Sequence, residues 1–186
     1  MIKRFSASSI RNGQKTTKLW DQVSNAGDFD SIATQTVSTA VASVTFSSIP
    51  QNYTHLQIRF AIPSPGTDIR FQFNSDTAAN YTFHYLYGEG ASCLSGNAVT
   101  TSDGYAGFYY NNSNVAGSAI LNFVDYTNTN KFKTVEGITG QDNNGSGIVM
   151  IVSSHWRSTA AINSIKLYHV TGNIGAGASF ALYGLK

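Results

Sequence analysis

The sequence predicts an all-β protein: an antiparallel β-sandwich, with the jelly roll as its expected form, carried behind an extended N-terminal arm. Three observations lead there. Residues 53–62 alternate cleanly, with Leu56, Ile58, Phe60 and Ile62 on one side and Tyr53, His55, Gln57 and Arg59 on the other. A period of two marks a strand with one face in a core. About ten such segments recur at intervals of roughly 8–14 residues with turn residues between them, the spacing of a sandwich. Charged residues make up only 12% of the chain, about half the usual share. Gly, Ser, Thr, Asn and aromatics take their place, which suits strands joined by tight turns. No helical pattern alternates with the strands, so a parallel α/β sheet is not expected.

The first segment, 1–34, is read as the arm and 35–186 as the sandwich. The arm shows neither strand nor helix period. Its apolar residues stand apart: Ile2, Phe5, Ile10, Leu19, Trp20, Val23 and Phe29. Such a stretch cannot build its own core. It is either a frayed terminus or an arm that orders on a partner, with Lys3, Arg4, Phe5, Arg11, Leu19 and Trp20 as the contact residues. The spaced apolar anchors favour the second reading. Of 12 basic residues, Lys3, Arg4, Arg11, Lys15 and Lys18 fall in 1–18 with no acid among them, leaving 7 against 10 acidic residues in the remainder. An acidic protein surface fits this arm; for nucleic acid the charges are too dilute among Ser, Thr and Gln.

Strands are then expected at 32–37, 41–49 and 53–62, with Pro50 forcing the chain out of the ladder between the last two. Residues 64–67 (SPGT) make a turn, 69–74 another half-buried strand, and Asn74-Ser75-Asp76 a further turn. Residues 81–87 place Tyr81, Phe83, Tyr85 and Tyr87 on one face. Residues 88–114 are rich in Gly, Ser, Thr and Asn and show no clean pattern, which marks either a functional loop or strands in disguise. Strands follow at 118–126 and 131–138. Residues 140–147 (GQDNNGSG) form a turn, and 148–153 a run apolar enough to be a fully buried central strand. Residues 162–170 and the closing SFALYGLK complete the set.

Few residues suggest chemistry. Glu89 and Glu136 are the only glutamates and the eight aspartates are scattered, so no spacing marks a catalytic carboxylate pair. Asp76, Asp103 and Asp142 lie in turns, where a side chain bonding the turn backbone is expected ahead of calcium ligation. His55, His84, His155 and His169 are isolated, with no metal-ligand spacing. Cys93 is the single cysteine, so no internal disulfide forms. GNIGAG at 172–177 precedes a strand and lacks the lysine of a phosphate loop. No catalytic residue, metal or cofactor is therefore expected. The basic start MIKRFSASSI lacks a signal-peptide apolar run, and no segment is long enough to span a membrane, so a protein made soluble in a cytoplasm is expected. Two aromatic groups stand out: the 81–87 face, and Tyr105, Phe108, Tyr109 and Tyr110. They could line a subunit interface, stack a saccharide, or be plain core. Trp156 beside Arg157 poses the same choice, with core or interface favoured.

Four stretches carry a resemblance: VTFSSIPQNYTHLQIRF (44–60), FQFNSDTAANYTFHYLYGEG (71–90), SSHWRSTAAINSIKLY (153–168) and SFALYGLK (179–186). Together they resemble a class of tailed-bacteriophage virion proteins, the β-sandwich modules of capsid decorations, head fibres and tail fibres. The resemblance implies a non-enzymatic structural protein of the virion, a homotrimer that decorates or cements the capsid. Its N-terminal segment would dock on the major capsid protein or another virion protein. The alternative it implies is a fibre adhesin that recognises a host-surface glycan, with Tyr105, Tyr109, Tyr110, Trp156 and Arg157 as candidate stacking or interface residues.

Overall fold

The structure, a computed structural model, describes residues 29–63, 68–110 and 114–186. Twelve strands are present and no helix among the described residues: β1 (Phe29–Thr36), β2 (Ser43–Phe46), β3 (His55–Pro63), β4 (Asp68–Phe73), β5 (Tyr81–Glu89), β6 (Ser92–Thr101), β7 (Gly104–Phe108), β8 (Ala116–Val124), β9 (Lys133–Asp142), β10 (Gly147–Trp156), β11 (Ile165–His169) and β12 (Ser179–Leu185). They form an eight-stranded sheet, β1-β12-β3-β8-β9-β10-β5-β6, and a four-stranded sheet, β2-β11-β4-β7. The pairings are antiparallel throughout, as in Ile58 opposite Leu182 on one side and Leu121 on the other. The molecule is a two-sheet antiparallel β-sandwich.

The face expected for β3 is the face that is buried: Leu56, Ile58, Phe60 and Ile62 are all at or below 4% exposure. They meet Phe71 and Phe73 of β4, Leu121 and Phe123 of β8, Leu167 of β11 and Phe180 and Leu182 of β12 in one continuous core. Rings in it cross edge-to-face, Phe73 with Phe123 at 5.7 Å and Phe73 with Trp156 at 5.3 Å, the arrangement their quadrupoles prefer. Close packing asks for glycine where β4 and β7 meet: a Cβ on Gly104 would come within 2.1 Å of the Phe71 ring.

Several buried polar groups are satisfied within the fold. Lys133, 1% exposed, sends its ammonium to the carbonyls of Asn128, Lys131 and Thr159, which ties the β8–β9 connection to the segment after β10. Burial, and secondarily the Lys131 charge, lowers its pKa. The turn aspartates behave as expected. Asp76 accepts from the Ala78 amide at 2.9 Å and Asp142 from the Asn144 amide at 2.8 Å.

Two expectations are corrected and one open reading is resolved. Residues 29–34, assigned to the arm, belong to β1, expected only from residue 32, and pair with the last strand, Phe29 opposite Leu185. A register shift between Ser31 and Ala33 breaks the alternation there, which hides the start of the strand. The patternless 88–114 region, where strands were one of the two readings, contains β6 and β7. The run at 148–153 is central in its sheet but buried on one side only. Ile148, Met150 and Val152 face inward, whereas Val149 and Ile151 are 57% and 59% exposed.

Candidate functional site

The unequal sheets decide where the molecule is open. The core above lies where β2, β11 and β4 cover β12, β3 and β8. The large sheet continues through β10, β5 and β6, and over this extension only β7 closes in, contacting β10, β9 and β5. Inward side chains there form a second cluster: Phe83, Tyr105, Ile148, Met150 and Val152 are buried, and Tyr85, Tyr87, Phe108 and Tyr110 around them are only partly covered.

The result is a cleft of about 550 Å³, within the usual range for small-ligand sites. Its floor is Phe83 stacked on Tyr105 at 5.0 Å, with Ile148 and Met150 alongside. Its walls are Tyr85 and Tyr87, 5.9 Å apart on β5, and Phe108 crossed edge-on with Tyr110 at 5.4 Å. Tyr85 lies over Gly96 of β6, whose added Cβ would meet the tyrosine hydroxyl at 2.4 Å. That glycine lets the ring lie down along the wall.

Polar groups stand among these rings: Asp68, Arg70 and Glu89. The Arg70 guanidinium sits 4.8 Å from the Phe83 centroid and 4.6 Å from that of Tyr105. It is clamped by Asp68 at 2.6 Å and Asp103 at 3.3 Å, and Tyr168 donates to the other oxygen of Asp103 at 2.7 Å. The Arg70 Nε is buried without a hydrogen-bond partner among the described residues. Tyr110 donates its hydroxyl to Glu89, and chiefly for that reason its pKa is pushed up to about 12. Burial, with the Asp68 charge behind it, raises that of Tyr105 further.

The candidate residues named from the sequence are split by the fold. Tyr105 and Tyr110 meet in the cleft. Tyr109, between Phe108 and Tyr110, points the other way into the main core. It lies edge-on to Phe60 at 6.4 Å, and its hydroxyl accepts from Thr139 Oγ1. Trp156 is 2% exposed, wedged against Phe73 and Tyr81, and donates its indole N–H to Asp76 at 2.7 Å. Neither Tyr109 nor Trp156 can stack an external ligand, because their faces are taken by the chain's own core. Arg157 is exposed and donates to the Ala79 carbonyl at 2.6 Å, away from the cleft. Lys3, Arg4, Phe5, Arg11, Leu19 and Trp20 lie outside the described residues. The polar residues of the cleft escaped the sequence reading. Their one signal was Asp68 two residues before Arg70, which puts both on one side of a strand.

A second feature occupies the opposite, outer face of the same large sheet. Ile120, Ile138, Ile151 and Leu86 stand opposite one another in one row across β8, β9, β10 and β5, all exposed, Ile138 at 51%. Val149 stands beside the row. Next to it Ala61, Ser118 and Gly140 are small, leaving a shallow hollow of about 640 Å³. Arg59 of β3 stands opposite Ile120, and Glu136 lies two residues before Ile138 on β9.

Among the described residues no three His, Cys, Asp or Glu side chains come together as a metal site, and no helix is long and apolar enough to cross a membrane. No protein-family model matches the chain. No curated protein and no solved structure matches it.

Proposed function

We propose that the chain is a non-enzymatic structural protein of a tailed-phage virion: a jelly-roll-like module that assembles as a homotrimer on the particle surface. Three copies turn the outer face of the eight-stranded sheet toward a common axis, and the residues before Phe29 tether each copy to the major capsid protein or another virion protein. The virion setting rests on the resemblance of the four sequence stretches. The assembly role rests on one observation, the exposed row Ile120, Ile138, Ile151 and Leu86. Large apolar side chains contiguous across four strands mark an interaction surface rather than ordinary scatter.

A second copy is the occupant that suits this face best. The row itself carries no charge, so like faces meet without burying an unpaired ion. Arg59 and Glu136 beside it are opposite in sign and provide countercharges between neighbours. Closed symmetry is the usual form of such self-association. The tether leaves from β1, the edge of this same sheet, so a trimer gathers three tethers, and weak anchors add through avidity.

Sedimentation of the full chain tests the reading. A trimer is expected, falling to monomer in the Ile138→Lys/Ile151→Lys double variant with the far-UV spectrum unchanged, since both positions are solvent-facing in one copy. A full chain that remains monomeric at micromolar concentration overturns the copy-to-copy contact. Removing residues 1–28 is expected to leave the sandwich folded and to strip it from particles; undiminished occupancy overturns the tether.

A further inference from the structure

We infer that the aromatic cleft between β4, β5, β6 and β7 is a binding site for a neutral oligosaccharide. The cleft does not depend on the trimer. Tyr85 and Tyr87 alternate with Leu86 along β5, so the cleft and the outer apolar row lie on opposite faces of the same strands.

Several observations select this ligand. The walls offer aromatic faces, half-buried and held in place by one another: Tyr85 against Tyr105 at 5.3 Å, Tyr87 against Tyr85, Phe108 against Tyr110. The negative face of an aromatic ring attracts the slightly positive C–H face of a pyranose, and the tyrosine hydroxyls remain at the edge to bond ring hydroxyls. Glu89 is exposed beside those rings. Its carboxylate oxygens accept from sugar hydroxyls. A mainly apolar pocket with a few convergent polar groups is the usual make-up of a ligand site.

Charge then narrows the class. The lining has two carboxylates, Asp68 and Glu89, against one cation, Arg70. Arg70 is already matched by Asp68 and by Asp103 behind it. A sialic acid, uronic acid or sulfated sugar would meet Glu89 with no free cation among the described lining residues to offset it. The same repulsion disfavours a nucleotide, whose base could otherwise stack here. On β7 the backbone of Tyr105 is already engaged. The Tyr105 amide donates to Ser154 Oγ at 3.1 Å and its carbonyl accepts from the same hydroxyl at 3.0 Å.

The test is an array of immobilised neutral and acidic oligosaccharides probed with the full chain, followed by titration calorimetry with the neutral glycan that gives the highest signal. Neutral glycans are expected to bind, and Tyr87→Ala to weaken that binding roughly tenfold, the scale of one lost stacking contact. Glu89→Gln keeps every ring of the wall and serves as the second variant; it is expected to weaken binding by about half that factor through the lost acceptor charge. An array silent for every glycan overturns the inference. So does signal confined to acidic glycans, or affinity unchanged in both variants, which would put the sugar elsewhere. Recovery of shortened saccharides from the mixture would overturn binding without cleavage.

Discussion

The two halves of the sandwich are made of the same materials and end in different states. In the closed half, strands β2, β11 and β4 lie over β12, β3 and β8, and the aromatic rings of Phe71, Phe73 and Phe123 are wholly buried. In the open half, β10, β5 and β6 extend past the smaller sheet, and Tyr85, Tyr87, Phe108 and Tyr110 are only partly covered. Both halves offer alternating aromatics on paired strands. What differs is the number of strands above them. A four-stranded sheet cannot roof an eight-stranded one, so part of the aromatic surface is left facing solvent. The closed half supplies stability, and the open half has surface to spend on recognition.

The contrast breaks most sharply at Ile58. It is fully buried in the closed half, and a lone carboxylate there costs several kcal/mol, comparable to the whole stability of a domain this size. Ile58→Asp is expected to abolish cooperative thermal unfolding. An unchanged melting temperature would mean that β3 presents its other face to the core.

Matched truncations sharpen the comparison. Trp156→Ala empties a packed site and leaves Asp76 without its indole donor, at a cost of about 3–5 kcal/mol. Asp76 is held ionised against its own burial by bonds from Asn80, Trp156 and Ala78, so losing one of them is felt at the carboxylate as well. Tyr87→Ala removes a ring from an open wall and is expected to cost about 1 kcal/mol. Urea denaturation of the two variants reads the difference directly. Equal losses would show that the cleft is part of the core rather than a surface built beside it.

How much of this was legible in the sequence follows the same division. β3 and β10 could be located because one face meets core and the other water, though the outward Val149 and Ile151 made β10 look buried on both sides. β6 (SCLSGNAVTT) was missed because nearly all of it is exposed, and β7 (GYAGF) because, between β4 and the large sheet, it is almost entirely buried. Neither condition produces alternation. Tyr109 and Tyr110 are neighbours that serve opposite sides of one strand end, and no local pattern says which side is core. Asp68 comes from β4 of the small sheet and Glu89 from β5 of the large one, so only the stacking of the two sheets brings them to one cleft.

Alkaline titration probes the smallest differences. In Tyr81, Tyr105 and Tyr168 burial is the main cause raising the pKa above the ordinary 10.0. The folded chain therefore keeps protons that the unfolded chain releases near pH 10. Stability is fully present below that pH and declines as pH climbs toward the folded values. These rings are expected to ionise together with unfolding, so tyrosinate absorbance and loss of structure rise in one transition. Tyr110 is different: its partner, Glu89, is the main reason it titrates at about 12. Glu89→Ala is expected to bring one tyrosine down toward 10.0 and to add one early step to the absorbance curve, with no change in the melting temperature at neutral pH. If the curve does not move, Tyr110 and Glu89 are not joined across the mouth of the cleft, and the open half lacks the fixed polar rim that a sugar would need.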